Sequence, residues 1–215
     1  SHIAFVVRDD ASASDLLFET SDTTWQAYNF LGGYSLYVGP ARKVSDNRPF
    51  FTREGSTEDW LFNAEYPMVR WLEANGYDVS YTTHIDTDKC GTVGPNRILA
   101  HKVFLSVGHD EYWSAGERAA VEAAREAGVH LAFFSGNEVY WKVRWEPSTD
   151  PSSTPYRTLV CYKEGTMGEH TCGGRCDPLA GVWTGLWRSG CPPEYTGLDG
   201  CRPENALSGN ISWVG

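Results

Sequence analysis

Residues 102–141 read KVFLSVGHDEYWSAGERAAVEAAREAGVHLAFFSGNEVYW. Two apolar runs in this stretch each stop at a glycine and hand over to groups that can do chemistry. After Gly108 come His109, Asp110, Glu111 and Tyr112; after Gly136 come Asn137 and Glu138. An imidazole can carry a proton near neutral pH. A carboxylate can act as a base or hold a cation, and a carboxamide can orient water or a carbonyl oxygen. His109, Glu111 and Asn137 are therefore the candidate catalytic residues. Taken singly, each has an ordinary explanation, since a carboxylate at a helix start and a histidine bonded to a loop carbonyl are common. Their clustering is what argues for a site.

The flanking pattern explains how they could meet. KVFLSVG and VHLAFFSG are short, apolar and β-branched, the composition of buried strands. Between them Ser114 and Glu117 form an S-x-x-E capping box that starts a helix at Ala115. Ala119, Ala120, Ala123, Ala124 and Ala127 offer a small-residue face, Arg118 and Glu122 form an i,i+4 pair on the polar side, and Gly128 ends the helix. A strand–helix–strand unit of this length joins parallel strands of one sheet. Both strands then end at the same edge, where open α/β sheets place their ligands.

Several chemistries find no support. No G-x-S-x-G or cysteine elbow stands at the strand-to-helix turn, and phosphate-loop signatures are absent. A two-carboxylate glycosidase stays open, with Asp110 and Glu111 or Glu138 as the pair, although adjacent residues usually point apart. Trp25, Trp113, Tyr140 and Trp141 are either walls of a small-ligand pocket or core.

Elsewhere, IAFVVR (3–8) has the composition of a buried strand, whereas residues 21–39 read as loop with short strand pieces. In 57–76 helical spacing is broken by Pro67, which suits the first turn of a second helix that stops at Gly76. YDVSYTTH is a strand, and residues 85–101 are a loop or short helix. After Glu164 periodicity fades, and VWTGLWRS and NALSGNISWVG look like surface segments or edge strands. The expected division is an α/β core over 1–164 and a loop-rich, disulfide-containing extension over 165–215, with the whole chain a piece truncated at both ends. The formal net charge is −10 and no basic stripe appears, so nucleic acid is not an expected partner. No run is long enough to span a membrane. Six cysteines, four of them in the Gly/Pro-rich last fifth, favour disulfides and a secreted, extracellular protein over free thiols or zinc; Cys191 with Cys201 is the expected pair.

The segments FVVRDD, SDTTWQAYN, ARKVSDNRPF, SVGHDEYWS, FFSGNEVYWK and CRPENALSG, spread over nearly the whole chain, resemble the catalytic domain of the large (beta) subunit of N,N-dimethylformamidase, and above all its relatives in secreted multi-domain bacterial proteins. The resemblance implies a three-layer α/β fold with a mostly parallel sheet, similar to class I glutamine amidotransferases but without their cysteine. It implies a hydrolase of linear amide C–N bonds that uses a metal-activated water and a mononuclear iron (Fe3+). By match to the family motifs, Glu111 and Tyr28 are metal ligands, and His109 and Asn137 support the reaction. The family's second tyrosine ligand lies upstream of FVVRDD and is absent from this chain, so Tyr34, Tyr37 or another chain would have to replace it. The expected partner is a small-molecule amide, with further domains or a homo-oligomer as the assembly. The alternative is a catalytically inactive secreted domain that binds carbohydrate or a cell-wall ligand.

Overall fold

A computed structural model of the chain describes residues 4–39, 41–52, 59–165, 176–188 and 202–211. In chain order the elements are β1 Leu16–Thr20, α1 Asp22–Tyr28, β2 Lys43–Ser45, a π-helical turn Leu61–Glu65 running into α2 Tyr66–Ala74, β3 Val79–Thr83 and α3 His84–Thr92. A 3-10 turn Arg97–Ala100 leads to β4 Val103–His109, β5 Tyr112–Ser114, α4 Ala115–Glu126, β6 His130–Gly136, β7 Trp141–Glu146 and β8 Thr158–Val160. A second 3-10 turn, Ala180–Val182, precedes β9 Gly185–Leu186 and α5 Asn205–Ser208.

The main sheet is parallel throughout, in the order β3-β1-β4-β6. Side chains alternate between its faces. Leu17 and Phe104 pack with Ala120, Val121 and Ala124 of α4, whereas Phe18, Leu105 and Val107 pack with Met68, Val69 and Leu72 of α2. The sheet is thus sandwiched between helices, and each fully buried Phe contributes roughly 1.5–3 kcal/mol by its removal from water. The capping box at Ser114 and Glu117 forms as expected, and Pro67 sits in the first turn of α2. A second, mixed sheet runs β2-β8-β7-β5, with β9 on β7. Among the described residues no helix is long and apolar enough to cross a membrane.

Several expectations need correction. Residues 4–8 form no strand, and Phe5 and Val7 are exposed; a β-branched run without a neighbouring strand to bond has nothing to hold it extended. The segment after Ser21 is helical, as α1, rather than loop. β6 is buried only in part, because it lies at the edge of the sheet. On α4 the packed stripe is Ala120, Val121 and Ala124, while Ala119, Ala123 and Ala127 are exposed; the latter three lie one position round the helix. Arg118, assigned to the polar side, is fully buried: its guanidinium lies 4.6 Å from the Trp187 ring and donates to the backbone oxygens of Arg202 and Pro203, as well as to Glu122. It ties the tail to the core; the VWTGLWRS segment supplies strand β9, one of its two expected forms, with Trp183 and Trp187 buried on either side of it. Cys90 and Cys161 are free thiols, and the expected Cys191–Cys201 pair lies outside the described residues.

Since all four strands of the main sheet are parallel, the ends of β1, β3, β4 and β6 share one edge. That edge gives rise to α1, to α3, to the turn carrying Asp110 and Glu111, and to the turn carrying Asn137.

Candidate functional site

β4 pairs with β6 through to the register His109↔Gly136, so the two polar clusters leave the sheet side by side. Gly108 makes this possible. Its φ is +94°, and a Cβ there would stand 2.9 Å from Glu65 Cγ and 3.2 Å from Ala64 Cβ. Beyond the strands the two turns are stitched together by backbone bonds: Val139 N–H to Asp110 O at 3.1 Å and Trp141 N–H to Glu111 O at 2.8 Å. Asn137 and Val139 take positive φ values of 51° and 58°. For a β-branched residue this is strained backbone, held here by the surrounding bonds.

α1 is fastened onto the same turn. The Thr24 hydroxyl accepts from Glu111 N–H at 3.1 Å, and the Thr23 hydroxyl donates to Tyr112 O at 2.9 Å. Tyr28 stands one turn after Thr24 and therefore on the same face of the helix. Its hydroxyl donates to Glu111 Oε2 at 2.9 Å. The Tyr37 hydroxyl lies 3.0 and 3.1 Å from the two Glu111 oxygens, and its ring stacks on Tyr28 with centroids 4.2 Å apart. Trp141 Nε1 donates to Glu111 Oε1 at 3.0 Å, and the Tyr112 hydroxyl donates to that of Tyr37 at 2.7 Å.

His109 completes the cluster. Its Nδ1 is 2.9 Å from Asp59 Oδ1, and its Nε2 is 3.3 Å from Glu111 Oε2 and 3.2 Å from Asn137 Nδ2. Tyr28, His109, Glu111 and Asn137 are thus brought together, and Tyr37, 39% exposed, opens the group to solvent. Burial first, then the charge of Glu111, pushes the Tyr28 and Tyr37 phenols far above their usual range. Lys163 Nζ sits 3.3 Å from the centroid of the Tyr37 ring, and burial pulls it down to about 8.

Residues 1–214 match the family described as N,N-dimethylformamidase beta subunit-like, C-terminal. The chain belongs to this family. The N,N-dimethylformamidase beta subunits of Paracoccus aminophilus and of an Alcaligenes species are each 26% identical to it over 111 residues. That match covers 52% of this chain and 14% of each relative, so the chain spans a small part of their length.

In this member of the dimethylformamidase beta-subunit family the donor set suits a metal ion. Two phenol oxygens and a carboxylate converge within about hydrogen-bond distance of one another, all hard oxygen donors. Neither phenol ionises readily in its surroundings, so a cation is what would bring both to the phenolate form. Of the tyrosines named as substitutes, Tyr37 lies against Glu111, whereas Tyr34 is 63% exposed. Asp110 does not point the same way as Glu111. It turns inward, accepting from Ser106 Oγ at 2.5 Å and lying 2.9 Å from His84 Nε2, so the Asp110–Glu111 pair does not face a common groove. Buried Glu19, His84 and Asp110 form a separate group that could hold a metal ion. Of the four aromatic residues in question, Trp113 is core, Trp25 donates to Glu65, Trp141 holds Glu111, and Tyr140 is half-buried.

The partners that sequence reasoning missed are Asp59, Trp141 in its role as a donor, and Lys163. Asp59 stands 50 residues before His109, in a stretch that reads only as a helix start, and Lys163 lies in a loop with no motif. Neither carries a local signal.

Proposed function

We propose that this chain hydrolyses small linear amides at the cluster around Glu111, in the manner its family membership suggests. The observation that carries the reading is the Glu111 carboxylate, bracketed by Tyr28 and Tyr37 with His109 and Asn137 beside it. Tyr28, Tyr37 and Glu111 would hold a mononuclear ferric ion, which when bound supplies a Lewis acid that polarises an amide carbonyl and acidifies water.

The chain's own residues then have distinct tasks. Trp141 Nε1 fixes the carboxylate of Glu111, and Thr24 holds its backbone N–H. Asp59 orients His109 through Nδ1, leaving Nε2 directed at the reaction space. Hydrolysis joins the water oxygen to the carbonyl carbon and breaks the C–N bond; His109 Nε2 takes the proton that the attacking water loses and delivers it to the departing amine nitrogen. Asn137 Nδ2 donates to the carbonyl oxygen as negative charge builds there. The stacked rings of Tyr28 and Tyr37 suit a small alkyl amide better than a long chain.

The parallel sheet with its site at the carboxyl edge supports the glutamine amidotransferase-like assignment. A disulfide-bonded tail and a secreted location belong to the same reading, on the cysteine count of the last fifth of the chain. The alternative, an inactive carbohydrate-binding domain, rests on the disulfide-like tail and the missing tyrosine; the contact of Tyr37 with Glu111 favours the hydrolase. The test is release of amine from formamides and acetamides by the iron-loaded chain. Activity that Glu111→Gln abolishes supports the proposal, and activity unchanged in that variant refutes it.

A further inference from the structure

Beneath this site, four ionisable side chains are sealed from water. Glu19 of β1, His84 of α3, and Glu117 of α4 are 0% exposed, and Asp110 is 1% exposed. His84 lies between two carboxylates, with Nδ1 2.6 Å from Glu117 Oε1 and Nε2 2.9 Å from Asp110 Oδ1. Glu19, His84 and Asp110 each bring a ligand atom within 4.8 Å of the others. Three carboxylates around one imidazole leave an excess of buried negative charge even when the ring is protonated, and isolated buried charge is costly. Either protons or a cation must neutralise it.

Glu19 decides between these. Neither of its oxygens has a donor in full hydrogen-bond geometry, and its neighbour Thr87 offers a single hydroxyl. One hydroxyl can serve one of the two oxygens of Glu19, as donor or as acceptor, whereas a cation satisfies the carboxylate directly.

We propose that Glu19, His84 and Asp110 form a buried site for a divalent cation of the zinc class, separate from the cluster around Glu111 and independent of the proposed amide hydrolysis. Tetrahedral bonds of ~2.0–2.1 Å set neighbouring donors roughly 3.3 Å apart, a spacing the His84 and Asp110 atoms need little movement to reach. The surrounding groups have the arrangement that orients metal ligands. Glu117 Oε1 lies 2.6 Å from His84 Nδ1, so it pairs with that nitrogen and leaves Nε2 for the ion, and Glu117 is itself held by Ser114 N–H at 3.1 Å. Ser106 holds the other oxygen of Asp110. A divalent ion cancels the charges of the two ligand carboxylates and leaves a single charge, on Glu117, beside the imidazole. Being closed to solvent, the site is structural, pinning β1, α3 and the turn after β4 to one point directly below Glu111.

The full chain, expressed and folded with zinc and then desalted, is assayed for bound zinc by elemental analysis in a Glu111→Gln background, so that only the buried site is counted. One retained equivalent is expected. Glu19→Gln should abolish it, and Glu117→Gln, which preserves the helix cap, should weaken it about 10–100-fold. Cobalt(II) in its place should give the intense visible bands of a tetrahedral N/O site. The same background variant should melt at higher temperature with zinc than after chelation, a readout that needs no Glu19 variant to fold. Absence of retained zinc, retention unaffected by Glu19→Gln, or a melting temperature indifferent to zinc would each overturn the site. A failure of amide hydrolysis would leave all of these readouts unchanged.

Discussion

Replacing Tyr37 by Phe removes one oxygen from the centre of the cluster, and the contacts of that oxygen set the size of the effect. Its O–H is shared between both oxygens of Glu111, and its lone pair receives the hydroxyl of Tyr112, a residue with 0% exposure. Losing a hydrogen bond to a charged carboxylate costs ~1.5–3 kcal/mol, and leaving the buried Tyr112 hydroxyl without an acceptor costs a further ~1–3 kcal/mol. Some of the first cost is offset by water, since Tyr37 is part-exposed. Tyr37→Phe should therefore lose about 2–4 kcal/mol of stability in urea denaturation, seen as a lower midpoint with an unchanged slope. Tyr112→Phe alone removes a neutral bond, for ~0.5–1.5 kcal/mol. The double variant carries no orphaned hydroxyl, so its cost should fall short of the sum of the singles by at least about 1 kcal/mol. Additivity to within ~0.5 kcal/mol would show that the two hydroxyls do not meet and would refute the geometry around Glu111.

Other consequences are equally open to measurement. Glu65 is fully buried against Ser21 and Trp25, and burial raises its carboxyl to about 8 from 4.5. The folded chain thus holds a proton that the unfolded chain releases; this contribution is complete below pH 4.5 and is lost as pH rises through 8, a change on the order of 5 kcal/mol. Denaturation midpoints across that window should fall with pH in the wild type and flatten in Glu65→Gln. Gly91→Ala would place a Cβ 1.8 Å from Gly116 O, forcing α3 and α4 apart; a loss of at least ~3 kcal/mol in thermal or urea unfolding is expected. His109→Ala should slow amide hydrolysis by ~10²–10⁴-fold in kcat, and Asp59→Asn should slow it less while leaving KM near its original value.

The β4–α4–β6 unit could be read from the sequence because every local signal there agrees: two β-branched runs, a capping box, and a glycine stop. It placed His109, Glu111 and Asn137 at one rim, and the register confirms that placement. β1 gave no such signal, since LLFET carries Glu19, whose acid is buried with His84 and Asp110 rather than turned to water. IAFVVR misled in the opposite sense, apolar yet without a strand to pair. α1 read as loop because its Thr-Thr-Trp start has weak helix propensity; contacts from Glu65 and the Glu111 turn hold it instead. Arg118 looked like a surface charge until the tail folded over it. Tyr37 and Asp59 reach the site through loop geometry, which no periodicity records.

The central claim is that Tyr28, Tyr37 and Glu111 act as one ligand set. Titrating the chain with ferric iron while recording visible absorption tests this most directly, because phenolate bound to ferric iron absorbs there and free tyrosine does not. A band should grow to one equivalent, weaken in Tyr28→Phe and in Tyr37→Phe, and vanish in the double variant. An unaltered band in the double variant, or none in the wild type, would contradict it.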